Sequence, residues 1–152
     1  MIIKAKPGDL ESVKIITQST IDEVYPHYYP TGAVEFFKKH HSDENILKDI
    51  NAGLVYLLEN KNNFVGTVTV KENNINRLFV LPEFQKHGFG RELIEFAEGI
   101  IFRNYSEIKL DASLPAKSIY MARGYTETEY HIIKTDNGDF LCYDVMVKSK
   151  GE

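Results

Sequence analysis

The stretch from Ile75 to Arg91, INRLFVLPEFQKHGFGR, constrains this chain more than any other. It reads as a buried strand that ends at Pro82, a loop punctuated by glycine, and the start of a helix. The loop core is Gln85, Lys86, His87, Gly88, Phe89 and Gly90. Two glycines one residue apart let the backbone curl so that successive N–H groups point the same way. The helix behind them adds its own unpaired N–H groups and the positive end of its dipole. The result is a main-chain cradle for a phosphate. Lys86 and Arg91 put positive charge at its rim.

Two common phosphate loops do not fit. Gly88-Phe89-Gly90 begins like a dinucleotide fingerprint, but Leu93 holds the third glycine position. The acidic residue which that fingerprint expects ~20 residues later, after a second strand, is also not clear. The Gly-Lys-Ser/Thr ending of a nucleotide-triphosphate P-loop is absent. Taken alone, the loop is equally served by a plain tight connection between a strand and a helix.

A second stretch, Leu110 to Tyr125, carries Ser113, Ala116, Tyr120 and Gly124-Tyr125. The two stretches together resemble the GNAT family of N-acetyltransferases. The family's acyl-CoA pyrophosphate loop, Arg/Gln-x-x-Gly-x-Gly/Ala, is matched by Gln85 to Gly90. Its later motif is matched in register by Ala116, Tyr120 and Gly124-Tyr125, with Ser113 where Asn is usual. The resemblance runs from Ile2 to Lys148 and is strongest from Asn74 to Tyr125.

Length and composition suit one domain over residues 1–152, which the resemblance implies is an acyl-CoA N-acyltransferase domain. Apolar residues make up 43% and charged residues 26%, an ordinary globular balance rather than a disordered one. The net charge of −4 comes with no long basic run, which argues against nucleic-acid binding and suits a cationic amine. No apolar run approaches the ~20 residues needed to span a bilayer. The start of the chain is too short and too charged for a secretory signal. The lone Cys142 excludes an intrachain disulfide and sits in an apparent strand as a packed thiol. The expectation is a cytoplasmic protein that needs neither membrane nor nucleic acid.

The element order supports a mixed α/β fold. Ile2 to Lys6 reads as a strand, with Asp9 capping a helix from Leu10 to about Val24. A second helix follows Thr31 to His40, and Ser42 or Asp43 caps a third. Leu54 to Leu58, Phe64 to Val70 and the strand ending at Pro82 form a meander, with Thr67 and Thr69 on the face opposite Val68 and Val70. Phe89, Leu93, Phe96, Ala97, Ile100 and Ile101 mark the core face of the helix after the loop. Ile108 to Ala112 is a strand, and Pro115 opens another helix. Tyr125 to Lys134 and Phe140 to Lys148 form a hairpin, for which Asn137-Gly138 predicts a type I′ turn. In the resemblance this is a central, mostly antiparallel mixed sheet of about seven strands with flanking helices, splayed into a V between the fourth and fifth strands.

The resemblance implies acetyl transfer from acetyl-CoA to a primary amine of a small molecule, by direct attack through a tetrahedral intermediate. Gln85, Lys86, His87, Gly88, Phe89, Gly90 and Arg91 would hold the pyrophosphate. The backbone at Phe79 and Val80 would bond the pantetheine arm. Ser113 either bonds that arm or caps a helix. Tyr120 is the candidate general acid for the departing thiolate: a phenol, with reference pKa ~10, stays protonated at neutral pH. The competing reading packs Tyr120 against Tyr125.

Many family members carry a Glu on the strand before the loop as general base. That strand here shows Asn74 and Asn76 instead. Tyr28 and Tyr29, in the aromatic segment Tyr25 to Pro30, and His131 on the hairpin are the candidate acceptor contacts. Tyr130 and Tyr143 on the hairpin could reach the same space. The hairpin strands could instead pair with a second copy as a homodimer. His40 and His41 point ~100° apart on a helix and make no metal site by themselves. The other functions left open are a non-catalytic acyl-CoA-binding module and a protein or peptide N-acetyltransferase.

Overall fold

A computed structural model describes residues 1–151. Seven strands form one sheet: β1 (Ile2–Lys4), β2 (Val55–Asn60), β3 (Asn63–Lys71), β4 (Asn74–Val80), β5 (Glu107–Ala112), β6 (Thr126–Lys134) and β7 (Phe140–Ser149). Their spatial order is β1-β2-β3-β4-β5-β7-β6. Every neighbouring pair is antiparallel except β4 with β5. The helices are α1 (Leu10–Val24), α2 (Thr31–His40), α3 (Asp43–Asn51), α4 (Phe89–Ile101) and α5 (Leu114–Ala122).

The helices cover both faces of the sheet, so there are two cores. Leu93, Ile94, Ala97 and Ile101 of α4 pack with Val68, Ile108, Leu110 and Met146 on one face. Val13, Ile16 and Ile21 of α1 and Ile46 and Ile50 of α3 pack with Val55, Leu57 and Leu141 on the other. Double coverage explains one departure from the sequence pattern. The Val/Thr alternation of β3 reads as one buried face and one polar face, yet every residue from Val65 to Val70 is buried. Thr67 and Thr69 are accommodated by hydrogen bonding: Thr67 Oγ1 donates to the Tyr56 carbonyl at 2.8 Å, and Thr69 Oγ1 accepts from Arg77 Nη1 at 3.0 Å.

Two local expectations are corrected. Asp9 precedes α1 but does not cap it; its carboxylate accepts from the Lys6 N–H at 2.9 Å and closes the short turn at Pro7–Asp9. The hairpin turn is not type I′. That turn needs positive φ at both central residues, and of Asn137 and Gly138 only Gly138 has it, at 87°. Gly138 N–H donates to the Thr135 carbonyl at 3.0 Å, which makes Asp136-Asn137 the centre of a type I turn followed by a left-handed glycine.

The reason lies in what the turn holds. Asn137 accepts from Thr135 Oγ1 and donates to the Asp139 carboxylate, which in turn accepts the Gly32 N–H at 2.8 Å. The carboxylate thus sits on the first turn of α2, where a negative charge is favoured. A Cβ at Gly32 would meet Asn137 Oδ1 at 1.9 Å, so only glycine allows this approach. The terminal hairpin is thereby fixed to α2, over one side of the splayed strands. Among the described residues no helix is long and apolar enough to cross a membrane.

Candidate active site

β4 and β5 share a single Cα pairing, Asn74 with Lys109, and then part. A bulge in β4 bends that strand at the parting. Thr67 pairs with Phe79 and Thr69 with Asn76, which leaves Arg77 and Leu78 opposite Val68 alone. Arg77 takes φ 46°, a left-handed value that a non-glycine residue holds only when its surroundings enforce it. They do. Nε donates to His41 Nδ1 at 3.2 Å, Nη1 to Thr69 Oγ1 at 3.0 Å and Nη2 to the Asp49 carboxylate at 3.0 Å. Three elements thus hold the bend: α3 through Asp49, the end of α2 through His41, and β3 through Thr69.

The parting opens into a cavity of about 200 Å³. Tyr25, Phe36 and Phe37 line its α1–α2 side, and Asn76, Leu78 and Phe79 its β4 side. Asp111, Ser113 and Tyr120 line it from β5 and α5, and Tyr143 from β7. Tyr120 is 94% buried by its 6% exposure, and its hydroxyl has no hydrogen-bond partner among the described residues. The ring meets Tyr125 edge-on at 5.3 Å, so it packs against that side chain while also facing the cavity. Burial raises the Tyr120 pKa, with Tyr25 and the Glu98 carboxylate pushing the same way, so the phenol keeps its proton.

Ser113 stands at the N-cap position of α5 but makes no capping bond with its side chain. The Leu114 N–H donates instead to the Tyr29 hydroxyl at 2.7 Å. Ser113 lines the cavity and approaches the Tyr25 hydroxyl, whose pKa is raised by burial and partly brought back by that contact. Tyr29 is buried, and it also donates toward the Cys142 carbonyl at 3.4 Å. It ties α5 and β7 to the α1–α2 connection and does not line the cavity; the exposed Tyr28 does not line it either. The aromatic wall comes from Tyr25 with Phe36 and Phe37 of the next helix. His131 stacks on Tyr143 at 5.1 Å, one ring behind the cavity wall. Tyr130 alternates to the other face of β6, opposite Asp144.

The glycine loop lies beyond the far end of β4. Its turn uses Lys86 at φ 65° and Gly88 at φ 87°. Gly88 is the N-cap of α4, and the first helical bond runs from Glu92 N–H to the Gly88 carbonyl at 3.1 Å. The N–H groups of His87, Gly88, Phe89, Gly90 and Arg91 meet no acceptor among the described residues. Five unpaired donors at a helix start fit a bound pyrophosphate. Two of the named side chains brace the loop itself. Gln85 Nε2 donates to the Val80 carbonyl at 3.0 Å, and His87 Nδ1 lies 2.8 Å from the Gln85 carbonyl and 3.1 Å from that of Phe84. A carbonyl can only accept, so Nδ1 carries the hydrogen. Arg91 is exposed and lies 3.6 Å from Glu95.

Two groups escape the sequence reading. One is the Arg77 network: His41 lies next to His40 and invites a metal reading, yet it is a buried neutral acceptor. Its pKa is lowered to about 3, by burial first and then by the Arg77 and His40 charges. Among the described residues no group of three or more His, Cys, Asp or Glu side chains could hold a metal ion. The other is Asp111. β5 alternates strictly, with Ile108, Leu110 and Ala112 buried and Glu107, Lys109 and Asp111 exposed, a signal that points Asp111 away from the α4 core.

The GNAT acetyltransferase domain model matches residues 24–138. No curated protein matches the chain by sequence. Several solved structures share its fold. A GCN5-related N-acetyltransferase from Rhodopseudomonas palustris aligns at TM-score 0.89 and 20% identity, over 98% of this chain and 94% of its own. The ribosomal-protein-S18-alanine N-acetyltransferase of Escherichia coli aligns at 0.74 and 18%, over 98% and 92%. YncA of Salmonella typhimurium, solved with acetyl-CoA, aligns at 0.73 and 17%, over 100% and 94%. The family model spans most of the chain, across the parted strands, the loop and the Tyr120 helix, and the chain belongs to the GNAT family of acetyltransferases.

Proposed function

We propose that this chain transfers an acetyl group from acetyl-CoA to a small primary amine by direct attack. The observation that carries the reading is Tyr120: a buried side chain that lines the cavity between the parted strands, its hydroxyl without a hydrogen-bond partner among the described residues. A phenol there can protonate the sulfur as the C–S bond breaks. The five free N–H groups from His87 to Arg91 would take the pyrophosphate, with Lys86 and Arg91 beside them. The pantetheine arm would lie along Phe79 and Val80 toward Ser113. The Val80 carbonyl already accepts from Gln85 and from Thr20 Oγ1 at 3.2 Å, so the arm's bonds fall to the other main-chain groups of β4.

A small acceptor is favoured over a peptide by the cavity's size and its wall of Tyr25, Phe36, Phe37 and Tyr143. The edge strand β6, with Tyr130 and Ile132 exposed, is where a second copy would add to the sheet. The test is CoA release from acetyl-CoA over a panel of amines and N-terminal peptides, with wild type and Tyr120→Phe. Tyr120→Phe should lower turnover by roughly 10²-fold and leave acetyl-CoA affinity unchanged. Equal turnover in the two proteins would return Tyr120 to packing. Binding of acetyl-CoA without turnover of any acceptor would favour a non-catalytic acyl-CoA-binding module.

A further inference from the structure

The reaction needs a group that receives the acceptor's ammonium and removes a proton, and β4 offers no carboxylate for it. The register of the parted strands supplies one from across the gap. Asn74 of β4 pairs with Lys109 of β5, and two residues further along each strand stand Asn76 and Asp111. Both line the cavity, on opposite sides of the opening. Asp111 makes no ion pair or hydrogen bond among the described residues, and it is the only carboxylate among the side chains lining this cavity. Two cations nearby are already engaged, Arg77 on Asp49 and Lys117 on Asp144 and Glu127. Tyr143 stands beside Asp111 from β7. Its phenol pKa is raised by burial and then by the Asp111 and Glu129 charges, so it faces the carboxylate as a neutral ring. His40 and the neutral His41 line the cavity from the end of α2, and Lys109 is the next exposed side chain on β5.

Resting on the acetyl-transfer reading above, we infer that Asp111 is the catalytic base: it receives the ammonium of a small primary amine whose apolar or aromatic body lies against Tyr25, Phe37 and Tyr143. A carboxylate and aromatic faces together select a cation on an apolar stem. Asp111 accepts one proton from the ammonium. The nitrogen lone pair then forms the N–C bond to the acetyl carbon. As the C–S bond breaks, its electron pair goes to sulfur, which takes a proton from Tyr120. The second proton lost by nitrogen goes to solvent, and solvent restores Tyr120 while Asp111 releases its own proton. The sum is ammonium plus acetyl-CoA giving amide, CoA and one proton. The groups that act on Tyr120 are Tyr25 and Glu98, and Asp111 is not among them.

The experiment compares wild type with Asp111→Asn, which keeps the shape and removes the charge. Acetyl-CoA binding is measured by calorimetry and phenethylamine acetylation by CoA release from pH 6.5 to 9.5. Asp111→Asn should bind acetyl-CoA like wild type and acetylate phenethylamine roughly 10²-fold more slowly at pH 7. The deficit should shrink as pH rises, because amine already neutral in solution needs no base. A structural role would leave the deficit constant across pH, and that result, or equal rates at pH 7, would overturn the assignment. Wild type that binds acetyl-CoA but acetylates only peptide N-termini would also overturn it. Wild type that binds no acetyl-CoA would overturn the acetyl-transfer reading first, and this one with it.

Discussion

Arg77 Nη2 lies 3.0 Å from the Asp49 carboxylate, with the arginine side chain 5% exposed and the aspartate 23%. The pair joins α3 to the bulge that parts β4 from β5, so the cleft is held open by a charge contact under the sheet rather than by apolar packing alone. A buried pair contributes little over an apolar substitute, but breaking one side leaves the other charge stranded.

Asp49→Ala should therefore cost about 3 kcal/mol of stability, the low end for a broken buried pair because Asp49 keeps some solvent. Urea unfolding followed by circular dichroism reads this as a lower midpoint with an unchanged slope. A midpoint equal to wild type would show that Arg77 finds enough compensation from Thr69 and His41.

His41 makes the same network sensitive to pH. It is buried and accepts from Arg77 Nε, and its pKa falls from an ordinary 6.5 to about 3. The unfolded chain therefore binds a proton at this site below pH 6.5 while the folded chain does not. Stability is full above pH 6.5 and falls as pH drops from 6.5 toward 3, by up to about 1.4 kcal/mol per pH unit. His41→Asn, whose Oδ1 can stand in for Nδ1, should flatten that dependence. Thermal melts at pH 7 and pH 5 check it: wild type should lose several degrees more than the variant.

Much of this was legible in the sequence because local chemistry fixed it. The loop Gln85 to Gly90 and the Ala116–Tyr120–Gly124 spacing are short-range patterns, and the structure sets both beside the parted strands. The turn at Asn137-Gly138 misled because its type was decided at long range, by the Asp139 carboxylate reaching α2. Tyr29 shows the same long-range dependence: nothing local shows that its hydroxyl accepts from the Leu114 N–H. The Arg77 network joins residues on three separated elements, so no window of sequence contains it. Asp111 carried a usable signal, the strict alternation of β5, but its meaning depended on knowing that Asn76 stands across the gap.

The two loop glycines serve different ends, and substitution separates them. Gly88 has φ 87°, which a β-branched residue adopts only with strain, although a Cβ there would meet nothing within 4 Å. Gly90 has ordinary helical geometry, and its nearest contact would be Val80 Cγ2 at 3.9 Å. The protein can therefore tolerate a side chain at Gly90, and what the glycine provides is room above the free N–H groups of the helix start. Gly90→Val should keep the wild-type melting temperature within a few degrees and weaken acetyl-CoA binding at least 10-fold, because a pyrophosphate could no longer reach the donors of Phe89 to Arg91. Gly88→Val should lose both affinity and stability, by about 1–3 kcal/mol for the enforced left-handed residue. Calorimetry with acetyl-CoA and thermal melts of the two variants separate these effects. Unchanged affinity in a folded Gly90→Val protein would move the pyrophosphate site away from this loop.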